Sequence, residues 1–127
     1  MLPFPVEIKS GLPIAEQVVF AVKKAVAIGQ LRTGDAFPSV RQFSQELRIN
    51  PNTAHKIVAM LVAEGVLMTT PAVGTTVAGA TAGSRREKTG FLNAEMERLV
   101  VEASNLGLTP AELKAAIDRH WKKIGGA

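Results

Sequence analysis

Gly34-Asp35-Ala36-Phe37-Pro38-Ser39-Val40-Arg41-Gln42-Phe43-Ser44-Gln45-Glu46-Leu47-Arg48-Ile49-Asn50-Pro51-Asn52-Thr53-Ala54-His55-Lys56 holds two helix starts within a dozen residues. The Gly34 to Pro38 stretch is turn chemistry, and Ser39 followed three residues later by Gln42 has the spacing of a capping box. A short helix to about Leu47 is predicted, burying Val40, Phe43 and Leu47. The next start comes at once: Asn50 suits a helix cap, and Pro51 suits a first helical position, where a missing N–H goes unnoticed. Beyond it, Ala54, Ile57, Val58 and Leu61 form one side of a third helix, and Asn52, His55, Lys56 and Ala59 form the other, until Gly65.

Upstream, Ile14, Val18, Val22 and Ala25 mark a first amphipathic helix, with Pro13 in its first turn and Gly29 as a left-handed stop. Residues 1–9 read as an extended start. Downstream, residues 66–70 and 75–78 read as two strands joined through Pro71-Ala72-Val73-Gly74. Small residues 79–83 form a linker. Leu92, Met96, Leu99, Val100 and Ala103 then mark a helix that stops at Asn105-Leu106-Gly107. Thr109-Pro110-Ala111-Glu112 is a capping box opening a last helix through Leu113, Ala116, Ile117, His120, Trp121 and Ile124.

Composition narrows the function classes. A chain of 127 residues, 46% hydrophobic and 20% charged, has the make-up of one globular domain with a small appendage. Without cysteine there are no disulfides, thiolate zinc sites or cysteine nucleophiles. His55 and His120 are the only histidines, and neither sits in a triad ordering or a metal-ligand spacing, so no enzyme activity, cofactor or metal is expected. The start lacks an export signal and no uncharged run is long enough for a membrane helix, which points to a cytoplasmic protein without a membrane partner. The net charge of +4 permits a nucleic-acid partner without requiring one.

Helix, short helix, tight turn, third helix and hairpin give a mainly α fold: a winged helix-turn-helix of three helices and a β-hairpin wing over residues 10–78. The linker at 79–83 and a C-terminal helical hairpin at 84–127 follow. A tight turn holds the second and third helices at a steep angle, so that the third can enter a major groove and present its N-terminal residues to base edges. Asn52, Thr53, His55 and Lys56 are free to donate or accept there.

These residues resemble the GntR family of bacterial transcriptional regulators. Residues 29–41, from Gly29-Gln30-Leu31 through Gly34 to Pro38-Ser39-Val40-Arg41, match its G-x-L-x-x-G-x-x-L-P-S-x-R signature, with Phe37 in the leucine position. The likeness continues through Ile49-Asn50-Pro51-Asn52-Thr53, Ala63-Glu64-Gly65-Val66-Leu67 and Gly74-Thr75-Thr76-Val77. The Asn-Pro-Asn-Thr start and the short tail are similar to the YtrA subfamily. The resemblance implies DNA contacts from Arg41 on the second helix, from Asn50, Asn52, Thr53, His55 and Lys56 on the recognition helix, and from Thr75 on the wing. Arg41 can fork to a guanine edge or a phosphate, Asn52 can pair with adenine, and Ser39 and Thr53 suit phosphate oxygens. Asn50 is a cap in any context, with or without a phosphate contact.

The resemblance further implies a dimeric repressor of its own or a transporter operon on a palindromic operator, with any small-molecule effector unidentified. Leu92, Met96, Leu99, Val100, Leu113, Ile117 and Trp121 are the expected dimerisation residues, packing on each other as a hairpin and against a second copy; the alternative is a tail folded back on its own domain. Arg85, Arg86 and Lys88 could touch flanking phosphates or simply be solvated. Departures from the family pattern fall at the wing, which is uncharged from Thr69 to Gly74 and has Ala72 in place of a glycine, and at the inter-helix turn. There Arg48 stands where glycine is common, adding a cation at the cost of strain if its backbone is left-handed. The other reading of an uncharged wing is a protein-interaction module on a winged-helix scaffold.

Overall fold

A computed structural model describes residues 2, 4–79 and 83–125, and the chain divides between residues 80 and 81 into two compact units. Residues 1 and 3 of the extended start and 80–82 of the expected linker lie outside the described residues.

In the first unit, α1 (Ile14–Ala27), α2 (Val40–Leu47) and α3 (Pro51–Ala63) precede an antiparallel hairpin of β1 (Leu67–Thr70) and β2 (Gly74–Val77). The winged helix-turn-helix is therefore observed. Its core joins Val18 and Val22 of α1, Phe43 of α2, Ala54, Ile57 and Leu61 of α3, and Leu67 and Val77 of the wing. Phe43 is completely buried, while Val40 and Leu47 pack at the core's edge. Its ring lies 5.4 Å from that of Phe37, which stacks in turn on Phe4 at 6.0 Å. The extended start thus delivers Phe4, only 4% exposed, into the core.

Three local differences from the sequence reading have physical causes. Pro13 stands at the N-cap of α1, outside the helix, and its carbonyl accepts from the Gln17 amide at 3.2 Å. At α2 only half of a capping box forms: the Gln42 amide donates to Ser39 Oγ at 3.1 Å. Both halves form at Ser84 and Thr109, where the third residue is Glu87 or Glu112, because a carboxylate accepts more strongly than a neutral amide. Val66 stays out of β1 because its N–H donates to the Leu61 carbonyl at 2.9 Å, closing α3. The signature turn also pairs with the wing: the Val77 amide donates to the Asp35 carbonyl at 2.9 Å, and the Phe37 amide donates to the Thr75 carbonyl at 2.8 Å.

The second unit comprises α4 (Arg85–Gly90), a π-helical turn (Phe91–Glu95), α5 (Met96–Asn105) and α6 (Pro110–Lys123). The Met96 amide donates to the Phe91 carbonyl, one residue further than an α-helix requires. This unit has little core. Ala103 is buried, Met96, Leu113 and Ile117 are half-buried, and Leu92, Leu99, Val100 and Trp121 are exposed. The stripes expected to pack on each other as a hairpin are largely uncovered, and Met96, Val100, Ala103, Leu113 and Ile117 line a common hollow between α5 and α6. No helix among the described residues is long and apolar enough to cross a membrane.

Two expected outcomes test this architecture. Phe43→Ala removes a fully buried ring and should destabilise the first unit by about 3 to 5 kcal/mol in urea unfolding. In the second unit, bonds from the Ser84 backbone and side chain hold the Glu87 carboxyl below its ordinary range. A folded value below the unfolded one stabilises the cap above the ordinary carboxylate range, and that contribution is lost as pH falls through the lowered value. The Ser84 amide, followed by NMR, should lose its bonded shift on acidification, and Glu87→Gln should flatten the titration.

Candidate nucleic-acid interface

The interface is assembled by caps and stops. The Asn50 side chain accepts from the Asn52 amide at 2.8 Å, and with Pro51 at the first position it starts α3 within three residues of the end of α2. The connecting turn is closed by the Arg48 amide donating to the Gln45 carbonyl at 3.3 Å and the Ile49 amide donating to the Ser44 carbonyl at 3.0 Å. Arg48 is left-handed, with φ 54°.

From that start, Asn52, His55 and Lys56 project at helical spacing and are exposed, while Thr53 is half-buried. Arg41 of α2 and His55 of α3 line one groove with Val40, Ser44, Gln45 and Pro51, so residues 14 apart in sequence border the same groove at the helix-turn-helix junction. The Ser44 hydroxyl, buried beneath them, donates to the Arg41 carbonyl at 2.9 Å and fixes that turn of α2. Ser39 is exposed, with its hydroxyl engaged as the α2 cap. Thr75 sits half-buried on the separate wing strand, opposite Thr69. Ser44 and Gln45 are the groove residues the sequence reading passed over; their positions three and four residues after Arg41, on the same helical face, were the available signal.

The electrostatics come from which charges are absent. No residue of Pro51–Ala63 is acidic, and the first carboxylate beyond it, Glu64, pairs with Lys23 of α1. Glu46 of α2 lines a different hollow with Leu2, Phe4, Pro5 and Val6. Among the described residues, Arg41, Arg48 and Lys56 make no ion pair, leaving three cations around the start of α3. The wing is neutral and strained at its tip, where Ala72 has φ 67°. Val73, 70% exposed, leads the hairpin.

Known proteins share this arrangement. The chain is 29% identical over 101 residues to the HTH-type transcriptional repressor YtrA of Bacillus subtilis, covering 79% of this chain and 78% of that protein. It is 26% identical over 111 residues to the HTH-type transcriptional regulator YhcF of the same organism, covering 87% and 92%. Among solved structures, a transcriptional antiterminator from Listeria monocytogenes superposes with a TM-score of 0.84 at 30% identity, over 98% of this chain and 93% of that one. YtrA from Sulfolobus acidocaldarius, at 20% identity and a TM-score of 0.55, shares the fold over 96% and 99%. Residues 14–77 match the family described as "Bacterial regulatory proteins, gntR family", and with helix-turn-helix, signature turn and wing all in place the chain belongs to that family.

Proposed function

We propose that this DNA-binding transcriptional regulator acts as a homodimeric, cytoplasmic repressor of a palindromic operator, in its own or a transporter operon. The DNA-binding regulator is a property of the family to which the chain belongs. The observation that carries the reading is the junction of α2 and α3, where Arg41 and His55 share a groove above an acid-free helix. Asn52, His55 and Lys56 supply donors and acceptors to base edges, Arg41 forks to a guanine or a phosphate, and Ser39, Asn50, Thr53 and Thr75 supply backbone contacts. The repressor role draws on YtrA of B. subtilis. A second copy is the economical cover for the exposed Leu92, Leu99, Val100 and Trp121, and two-fold operators are read by two-fold dimers.

An anisotropy titration against genomic fragments should find a fragment preferred over random DNA. No preference at low or moderate salt would remove the proposal. The neutral wing favours one other reading, a protein-interaction module with little DNA specificity, under which Asn52→Ala leaves DNA binding unchanged.

Arg41→Ala should weaken specific binding by about 1 to 3 kcal/mol if the guanidinium forks to a base. Asn50→Ala should lower folding stability by about 1 kcal/mol through the lost cap, whereas Asn50→Asp keeps the cap and repels the phosphates, separating stability from affinity in paired melting and titration measurements. With three cations at the recognition end and none in the wing from Thr69 to Gly74, the salt dependence of binding should be shallower than in relatives with a basic wing.

A further inference from the structure

Among the described residues, α1, α2, α3 and α5 close with the same pair of backbone bonds, and three of these four ends use glycine. After α1, Gly29 has φ 84°, with Gln30 donating to Ala25 at 2.9 Å. After α3, Gly65 has φ 77°, with Val66 donating to Leu61 at 2.9 Å. After α5, Gly107 has φ 80°, with Leu108 donating to Ala103 at 3.0 Å. After α2 the left-handed residue is Arg48, at φ 54°. A left-handed backbone crowds a Cβ against the following carbonyl, so arginine is the disfavoured choice at a position that glycine fills without strain.

The Arg48 side chain does not repay that strain within the fold. It is exposed, and among the described residues it makes no hydrogen bond, ion pair or ring contact through its guanidinium. Its place is two residues before Asn50, the cap of the recognition helix, so its backbone lies within about 7 Å of that helix's start. Arg41 and Lys56 are the other unpaired cations of α2 and α3, while the wing tip has none.

We infer that Arg48 is a phosphate-binding residue, holding the DNA backbone beside the groove that α3 enters, and that the turn retains a strained residue for this contact. The inference rests on the DNA-binding reading above. In effect, a cation at the inter-helix turn does the anchoring for which the neutral wing has no charge. Being a backbone contact, it adds affinity for all sequences alike and carries no base preference.

The test compares the full chain with its Arg48→Gly, Arg48→Lys and Arg41→Ala variants, in thermal melts and in operator titrations from low to moderate salt. Arg48→Gly should melt higher than the parent, because glycine relieves the turn. It should also bind operator and random DNA roughly five- to tenfold more weakly at about 0.1 M salt, with the salt slope reduced by about 0.9 per protomer. Arg48→Lys should keep the parent's slope. If Arg48→Gly melts higher but binds with unchanged affinity and slope, the inference is overturned; it is equally overturned if the melting temperature does not rise. Failure of the DNA reading itself looks different: the parent would show no preferred fragment and Arg41→Ala would behave like the parent.

Discussion

The burial of Phe43 is the constraint on which the rest of the first unit depends. Its ring sits fully inside, against Phe37 of the signature turn, and Phe37 stacks on Phe4 from the start of the chain. One side chain of a short helix thereby joins that helix to the segment before it and to the core of α1 and α3. An eight-residue helix is too short to be stable alone in water. Tertiary packing through Phe43 keeps α2 folded, and a folded α2 keeps Arg41 at the groove that His55 also lines. Phe37, in the leucine position of the family signature, fits this arrangement, since its flat ring stacks on that of Phe4.

Around that core, the backbone solves one problem repeatedly. The helices α1, α2, α3 and α5 each stop within a residue or two, and each of these stops uses a left-handed residue whose following amide reaches back to satisfy a free carbonyl. Where nothing else is asked of the position the residue is glycine. At the turn facing the recognition helix, and at the wing tip, it is Arg48 and Ala72. Both exceptions therefore cluster in the helix-turn-helix and wing, the parts concerned with DNA, and none falls in the second unit among the described residues.

Much of this was legible in the residues because punctuation is local chemistry. Ser39, Asn50-Pro51, Gly29 and Gly65 mark helix ends through bonds within a few residues of themselves, and the structure places those ends within a residue or two of the expected positions. The pairing of Asp35 and Phe37 with β2 was hidden, because its turn residues advertise a loop and its partners lie some 40 residues away. Phe4 carried no signal, since an extended segment with one buried ring has no period. The π turn leaves the hydrophobic spacing of Leu92 and Met96 intact, so only the backbone bonds reveal it. For the candidate site, the exposed face of α3 followed from helical periodicity, but the groove that Arg41 and His55 share depends on the angle between two helices. Helical periodicity in the tail picks out apolar stripes; what covers Leu92, Leu99, Val100 and Trp121, all exposed, is a question of assembly, which no periodicity encodes.

Charge plays a smaller part than the family setting suggests. Residues 1–78 hold seven Lys or Arg against five Asp or Glu, and residues 79–127 hold eight against six, so each part contributes +2. On the proposed reading, recognition comes from placed groups at the start of α3, with the net field a minor aid. Selection of bound sequences from a random DNA pool measures this most directly. The account predicts enrichment of a two-fold symmetric motif whose half-sites are centred about one helical turn apart. A pool that stays random after repeated selection with the intact protein would contradict it.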